Sequence, residues 1–117
     1  MSIKINYHLL LCATPSKGSC CDYKDGQSSW NQLKKIISEL NLDDPTRPEG
    51  VVLRSKVDCL RVCKNGPILL TWPDGIWYQK VSPKLIELII KQHIVGGQPI
   101  ADFIYQRTPL KALDNMS

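Results

Sequence analysis

Five cysteines in a chain of 117 residues fall into two groups, Cys12/Cys20/Cys21 and Cys59/Cys63. Each group sits where an apolar, strand-like run gives way to a polar loop. Two such loops facing one another would supply four thiolates to one metal centre. Thiolates are soft donors suited to iron–sulfur clusters, zinc and copper(I), whereas calcium and magnesium take oxygen. The odd count leaves at least one thiol outside any set of disulfides. In a reducing compartment, cysteines at regular spacing point to metal binding or catalysis before structural bridges.

The elements that must position these thiolates are read from periodicity. Ile3 to Cys12 is an expected strand, with Tyr7, Leu9 and Leu11 on one face and His8, Leu10 and Cys12 on the other. A loop with Pro15, Gly18 and Gly26 follows. Ser28 or Ser29 is the expected cap of a helix whose apolar positions Trp30, Leu33, Ile37 and Leu40 recur at helical spacing. A Pro- and Gly-containing connector, 41–50, leads to a second strand from Val51 to Val57, where Val51, Leu53, Ser55 and Val57 share a face. Pro67 to Trp72 reads as a strand buried on both faces, and Pro73-Asp74-Gly75 as a turn into a strand from Ile76 to Lys80. Ser82 caps a second helix with Pro83 in its first turn. Leu85, Ile86, Ile89, Ile90 and Ile94 line its inner face, and Gly96-Gly97 stops it.

The order strand–helix–strand, hairpin, helix calls for a parallel pair joined by a right-handed crossover, with the hairpin extending the same sheet. This is a thioredoxin-like α/β sandwich with a mixed four-stranded sheet. A single domain is expected over residues 1–105, with a polar tail over 106–117. The length suffices for a core without disulfide staples. The run around Leu9-Leu10-Leu11 is too short for a membrane span or a signal-peptide core, so a cytoplasmic protein without membrane insertion is expected. The net charge of +4 is modest, its basic residues are scattered, and no nucleic-acid motif is present.

Three chemistries compete for the cysteines. Dithiol exchange of the thioredoxin type needs two cysteines separated by two residues at a helix start, and this chain has no such pair. Zinc knuckles fit Cys59/Cys63 loosely but not the eight-residue gap between Cys12 and Cys21. A binuclear iron–sulfur cluster is larger than a single ion and tolerates wide gaps when four thiolates converge from two loops. Lys17, Arg61 and Lys64 lie near these cysteines in sequence and would offset the cluster's negative charge. His8 and His93 show no Rieske-like pairing with cysteines, and His93 reads as a capping or packing residue.

The stretch Cys59-Leu60-Arg61-Val62-Cys63-Lys64-Asn65-Gly66-Pro67, followed by Trp72-Pro73-Asp74-Gly75-Ile76-Trp77-Tyr78, resembles the thioredoxin-like [2Fe–2S] ferredoxins. These are relatives of the small iron–sulfur subunit of respiratory complex I. The family's closing motif corresponds here to His93-Ile94-Val95-Gly96-Gly97-Gln98-Pro99, so the similarity covers roughly residues 5 to 105. Arg61 stands where many relatives have Gly, and Trp72 replaces a usual Tyr. Trp77 and Tyr78, adjacent on a strand, must point to opposite faces and read as core or dimer-contact residues.

The resemblance implies a [2Fe–2S] cluster held by Cys12, Cys21, Cys59 and Cys63. Cys20 is the alternative to Cys21, which is favoured because Trp30 stands nine residues after it. It implies a one-electron carrier, not an enzyme, that meets redox protein partners through small transient contacts and forms a homodimer near the hairpin. Three other readings stand beside it. The chain would be an iron–sulfur subunit of a hydrogenase or NADH-oxidising complex, a cluster-sensing or storage protein, or a cluster-free thioredoxin-like binding module.

Overall fold

The computed structural model describes residues 4–12, 23–57 and 67–108. Strand β1 (Ile5–Cys12) leads to helix α1 (Tyr23–Glu39) and strand β2 (Val51–Val57). Strands β3 (Ile68–Trp72) and β4 (Ile76–Tyr78) form the hairpin. Helix α2 (Pro83–Leu88) continues directly into a π-helical segment, Ile89–Val95. A short 3₁₀ turn, Ala101–Phe103, precedes strand β5 (Ile104–Arg107).

The five strands lie in the order β2-β1-β3-β4-β5. β1 and β2 are parallel, and every other neighbouring pair is antiparallel. The register sorts side chains cleanly between faces. Leu9, Leu11, Val52, Leu69, Ile76 and Tyr78 share one face and join Leu33, Ile36, Ile37, Leu85, Ile86, Ile89, Ile90 and Ile94 in one core. Both helices therefore pack on the same side of the sheet. The opposite face is also closed to solvent at Cys12, Ile68 and Leu70, so β3 is buried on both sides as its uninterrupted apolar run implies.

Three expectations need correction. The sheet has five strands rather than four. The segment Ile104–Arg107 alternates half-buried and exposed, and β5 crosses the expected 105/106 boundary. It pairs with the open edge of β4, and of its four residues only Ile104 packs against the core, which is why its composition gives little signal. Helix α1 starts at Tyr23, so Ser29 is not its cap. Ser29 is fully buried inside the helix and its Oγ donates to the Val81 carbonyl at 2.5 Å. Leu40 lies beyond the end of α1 and is exposed, and Leu42 enters the core in its place. In β2, Val51, Leu53, Ser55 and Val57 share a face as expected, and the core takes Val52 from the other.

The second helix begins as expected. Ser82 Oγ accepts from the Leu85 N–H at 3.2 Å, and Pro83 occupies the first turn. Gly97 ends the helical run with φ of 79°, a left-handed conformation that glycine adopts without a Cβ penalty.

Candidate metal centre

Cys12 is the last residue of β1, a central strand, and is fully buried. Its partner across the parallel ladder is Val57, the last residue of β2, and across the antiparallel ladder Ile68, the first of β3. The connection between β2 and β3 thus leaves the sheet on one side of Cys12 and returns on the other. The two strands that it joins are about 10 Å apart, with β1 between them. Cys59 follows Val57 by two residues and Cys63 precedes Pro67 by four. Cys12, Val57 and Ile68, the described residues that flank the cysteine-bearing connections, therefore share one end of the sheet.

Cys20, Cys21, Cys59 and Cys63 lie outside the described residues, as do Lys17, Arg61 and Lys64. Of the expected ligands, the structure describes Cys12. Among the described residues no group of three or more His, Cys, Asp or Glu gathers to hold a metal ion. No helix among them is long and apolar enough to cross a membrane.

The first turn of α1 points its positive end at the same edge of the molecule. Ser29 in α1 bonds Val81, whose N–H in turn donates to the Pro67 carbonyl beside Ile68. At the other end of the α1–β2 connection, the Val52 N–H donates to the Leu42 carbonyl near the start of β2. Helix α1 therefore runs away from the Cys12 end, and its macrodipole favours negative charge there.

The histidines lie elsewhere. His8 is four residues before Cys12 on the same strand, about 13 Å away at the usual rise, and its Nε2 meets Ser55 Oγ at 2.8 Å. His93 is 1% exposed and lies against the hairpin turn at the opposite end of the sheet. Its Nε2 is 2.5 Å from Asp74 Oδ2 and its Nδ1 2.8 Å from the Tyr78 hydroxyl. The Ile100 N–H donates to that hydroxyl at 3.0 Å, and Thr71 Oγ1 donates to Asp74 Oδ1 at 2.6 Å. Every atom is satisfied when Tyr78 donates to Nδ1 and the Nε2–H donates to Asp74. Burial pushes the Asp74 carboxyl up, but hydrogen bonds from His93 and Thr71 outweigh it and hold the group below the ordinary carboxylate range. Burial raises the Tyr78 hydroxyl above its usual value.

His93 is thus a packing residue, edge-on to Tyr7 and Tyr78. Sequence reasoning missed its acidic partner. Asp74 stood in the turn motif and His93 in the helix, and only the fold joins positions 19 apart. Trp77 and Tyr78 do point to opposite faces. Tyr78 is in the core, and Trp77 is half-buried, with its Nε1 donating to Thr108 Oγ1 at 2.7 Å.

A small α/β protein with this strand order and this sheet end belongs, by architecture, to the thioredoxin-like class. A solved thioredoxin-like [2Fe–2S] ferredoxin of Aquifex aeolicus superposes with a TM-score of 0.72 at 21% identity, covering 88% of this chain and 93% of that one. No family model matches the chain. A 2Fe–2S ferredoxin of Clostridium pasteurianum is 33% identical over 99 residues, 80% of this chain and 90% of its own length. A 2Fe–2S ferredoxin of Aquifex aeolicus is 33% identical over 49 residues, and a Priestia megaterium protein 30% identical over 91. Those two alignments span only 44% and 63% of the relatives' lengths. The chain belongs to the 2Fe–2S ferredoxin family.

Proposed function

We propose that the protein is a one-electron carrier holding a [2Fe–2S] cluster on Cys12, Cys21, Cys59 and Cys63. The observation that carries the reading is the position of Cys12 between the two strand ends that bracket the Cys59/Cys63 connection. A buried thiol at a strand end, with two further cysteines on the connection between the strands that flank it, fits a centre built from two loops. Bound there, the cluster supplies reversible one-electron redox chemistry.

The chain's own residues do the rest. Cys12 holds its thiolate on a central strand of the sheet, which fixes one ligand of the proposed set. The positive end of α1 favours the anionic donor set, and the apolar packing of Ile68 and Leu70 keeps water from the strand beneath it. Cys21, two residues before α1 in sequence, is taken as the ligand and Cys20 as a bystander. In a reducing cytoplasm the thiols stay available as ligands. Half-buried Trp77, on the face away from both helices, supports a homodimer contact beside the hairpin.

Anaerobic purification with iron and sulfide counts, and electron paramagnetic resonance before and after dithionite, tests the proposal. About two irons per chain and a signal only in the reduced form are expected. A colourless protein, or a single zinc, would end it.

A further inference from the structure

Beside the Cys12 end, β2 is the outer strand of the sheet and carries Arg54 and Lys56 on its helix-covered face. Both cations lie over the indole of Trp30 in α1. The Arg54 guanidinium carbon is 5.4 Å and the Lys56 ammonium 5.9 Å from the ring centroid. Lys34, one helical turn beyond Trp30, is exposed on the same side of α1. None of the three makes an ion pair among the described residues, although Lys35, Arg47 and Lys91 all do. The Arg54 Nε–H is buried and has no hydrogen-bond partner among them.

Two like charges held on one ring repel each other, which offsets part of what each gains from the indole, and Arg54 finds no carboxylate among the described residues. Such an arrangement gains most when an anion arrives, because the indole has already restricted the side chains. The parallel register puts Lys56 opposite Leu11, one residue from Cys12 opposite Val57. Anything docked on this corner therefore sits next to the Cys12 end of the sheet.

We propose that the α1–β2 corner, Trp30 with Lys34, Arg54 and Lys56, is a docking face for an acidic protein surface. The partner presents carboxylates to the indole-held cations and is brought against the Cys12 end. That this partner is a redox protein rests on the electron-carrier reading above; the binding itself does not.

Binding of a fluorescently labelled oligo-glutamate peptide to the purified, cluster-loaded protein tests the face, read by anisotropy at low ionic strength. Lys56→Glu removes an attraction and adds a repulsion, each worth up to about fivefold, and is expected to weaken binding about tenfold. Arg54→Gln weakens it about fivefold. Trp30→Leu lowers affinity while leaving its salt dependence unchanged, since no charge is lost. Lys4→Glu, at the opposite end of β1, changes net charge equally and is expected to cost less than about twofold. Equal losses at Lys4 and Lys56 would overturn the proposal. So would tighter binding of an oligothymidylate through the same residues, which would make this a nucleic-acid face. Iron content is measured separately on every sample. A protein without iron that still binds the peptide through Lys56 would sink the electron-carrier reading and keep the face.

Discussion

The two ends of the sheet are built on opposite principles. At the end where the hairpin turns, Thr71, Asp74, His93, Tyr78 and the Ile100 N–H close a chain of hydrogen bonds in which each buried polar atom has a partner. At the Cys12 end the sheet stops with a buried sulfur, and the other proposed donors sit on the connections beyond it. The first end is complete in itself and would gain nothing from a ligand. The second ends in one buried donor at a strand terminus, which suits the proposed cluster site. On the proposed reading, stability and chemistry fall at opposite ends of the same strands.

Variants at each end break or sharpen this contrast. The largest effect is expected from Cys12→Ser or Cys59→Ser, each of which should abolish the stable cluster and its visible absorbance while leaving far-ultraviolet circular dichroism largely intact. Cys21→Ser should do the same and Cys20→Ser should not. The reverse result would exchange their roles. At the other end, His93→Leu leaves Asp74 and Tyr78 without a buried partner and should destabilise the fold by about 3 kcal/mol in denaturant titration. Iron content measured at low denaturant should be unaffected; its loss would show that the two ends are not independent.

Smaller effects follow from titration. Because its hydrogen bonds hold the Asp74 carboxyl low in the folded state, its contribution is present above the unfolded value of 3.8 and is lost as pH falls through the depressed one. Thermal melts between about pH 5 and about pH 2 should lose part of this acid dependence in Asp74→Asn. Tyr78 has the opposite sign: its raised pKa means stability is intact below the ordinary value of 10.0 and declines as pH rises beyond it. The smallest expected change is Ser29→Ala, which removes the bond to the Val81 carbonyl and should cost about 1 kcal/mol in urea.

Much of this was legible before any coordinates. The Ser82-Pro83 start of α2, its five inward apolar positions and the 73–75 turn depend on neighbours within a few residues, and all stand as read. Cys12 at the close of β1 was legible for the same reason. What escaped depends on distant partners. Ser29 looked like a cap because serine competes for backbone groups near helix starts, but its acceptor is Val81, 52 residues away. The strand Ile104–Arg107 pairs with the edge of β4, and only Ile104 of its residues packs against the core.

The sequence by itself determined where soft donors, turns and apolar stripes fall, because those depend on residue type and short-range spacing. Only the tertiary structure decided what those features meet. Pairing β1 with β2 on one side and β3 on the other put Cys12 between the ends of those strands, and the packed fold gave His93 its carboxylate and laid Arg54 and Lys56 on Trp30. Strand register and helix direction set those encounters, and neither is a property of any local stretch of chain.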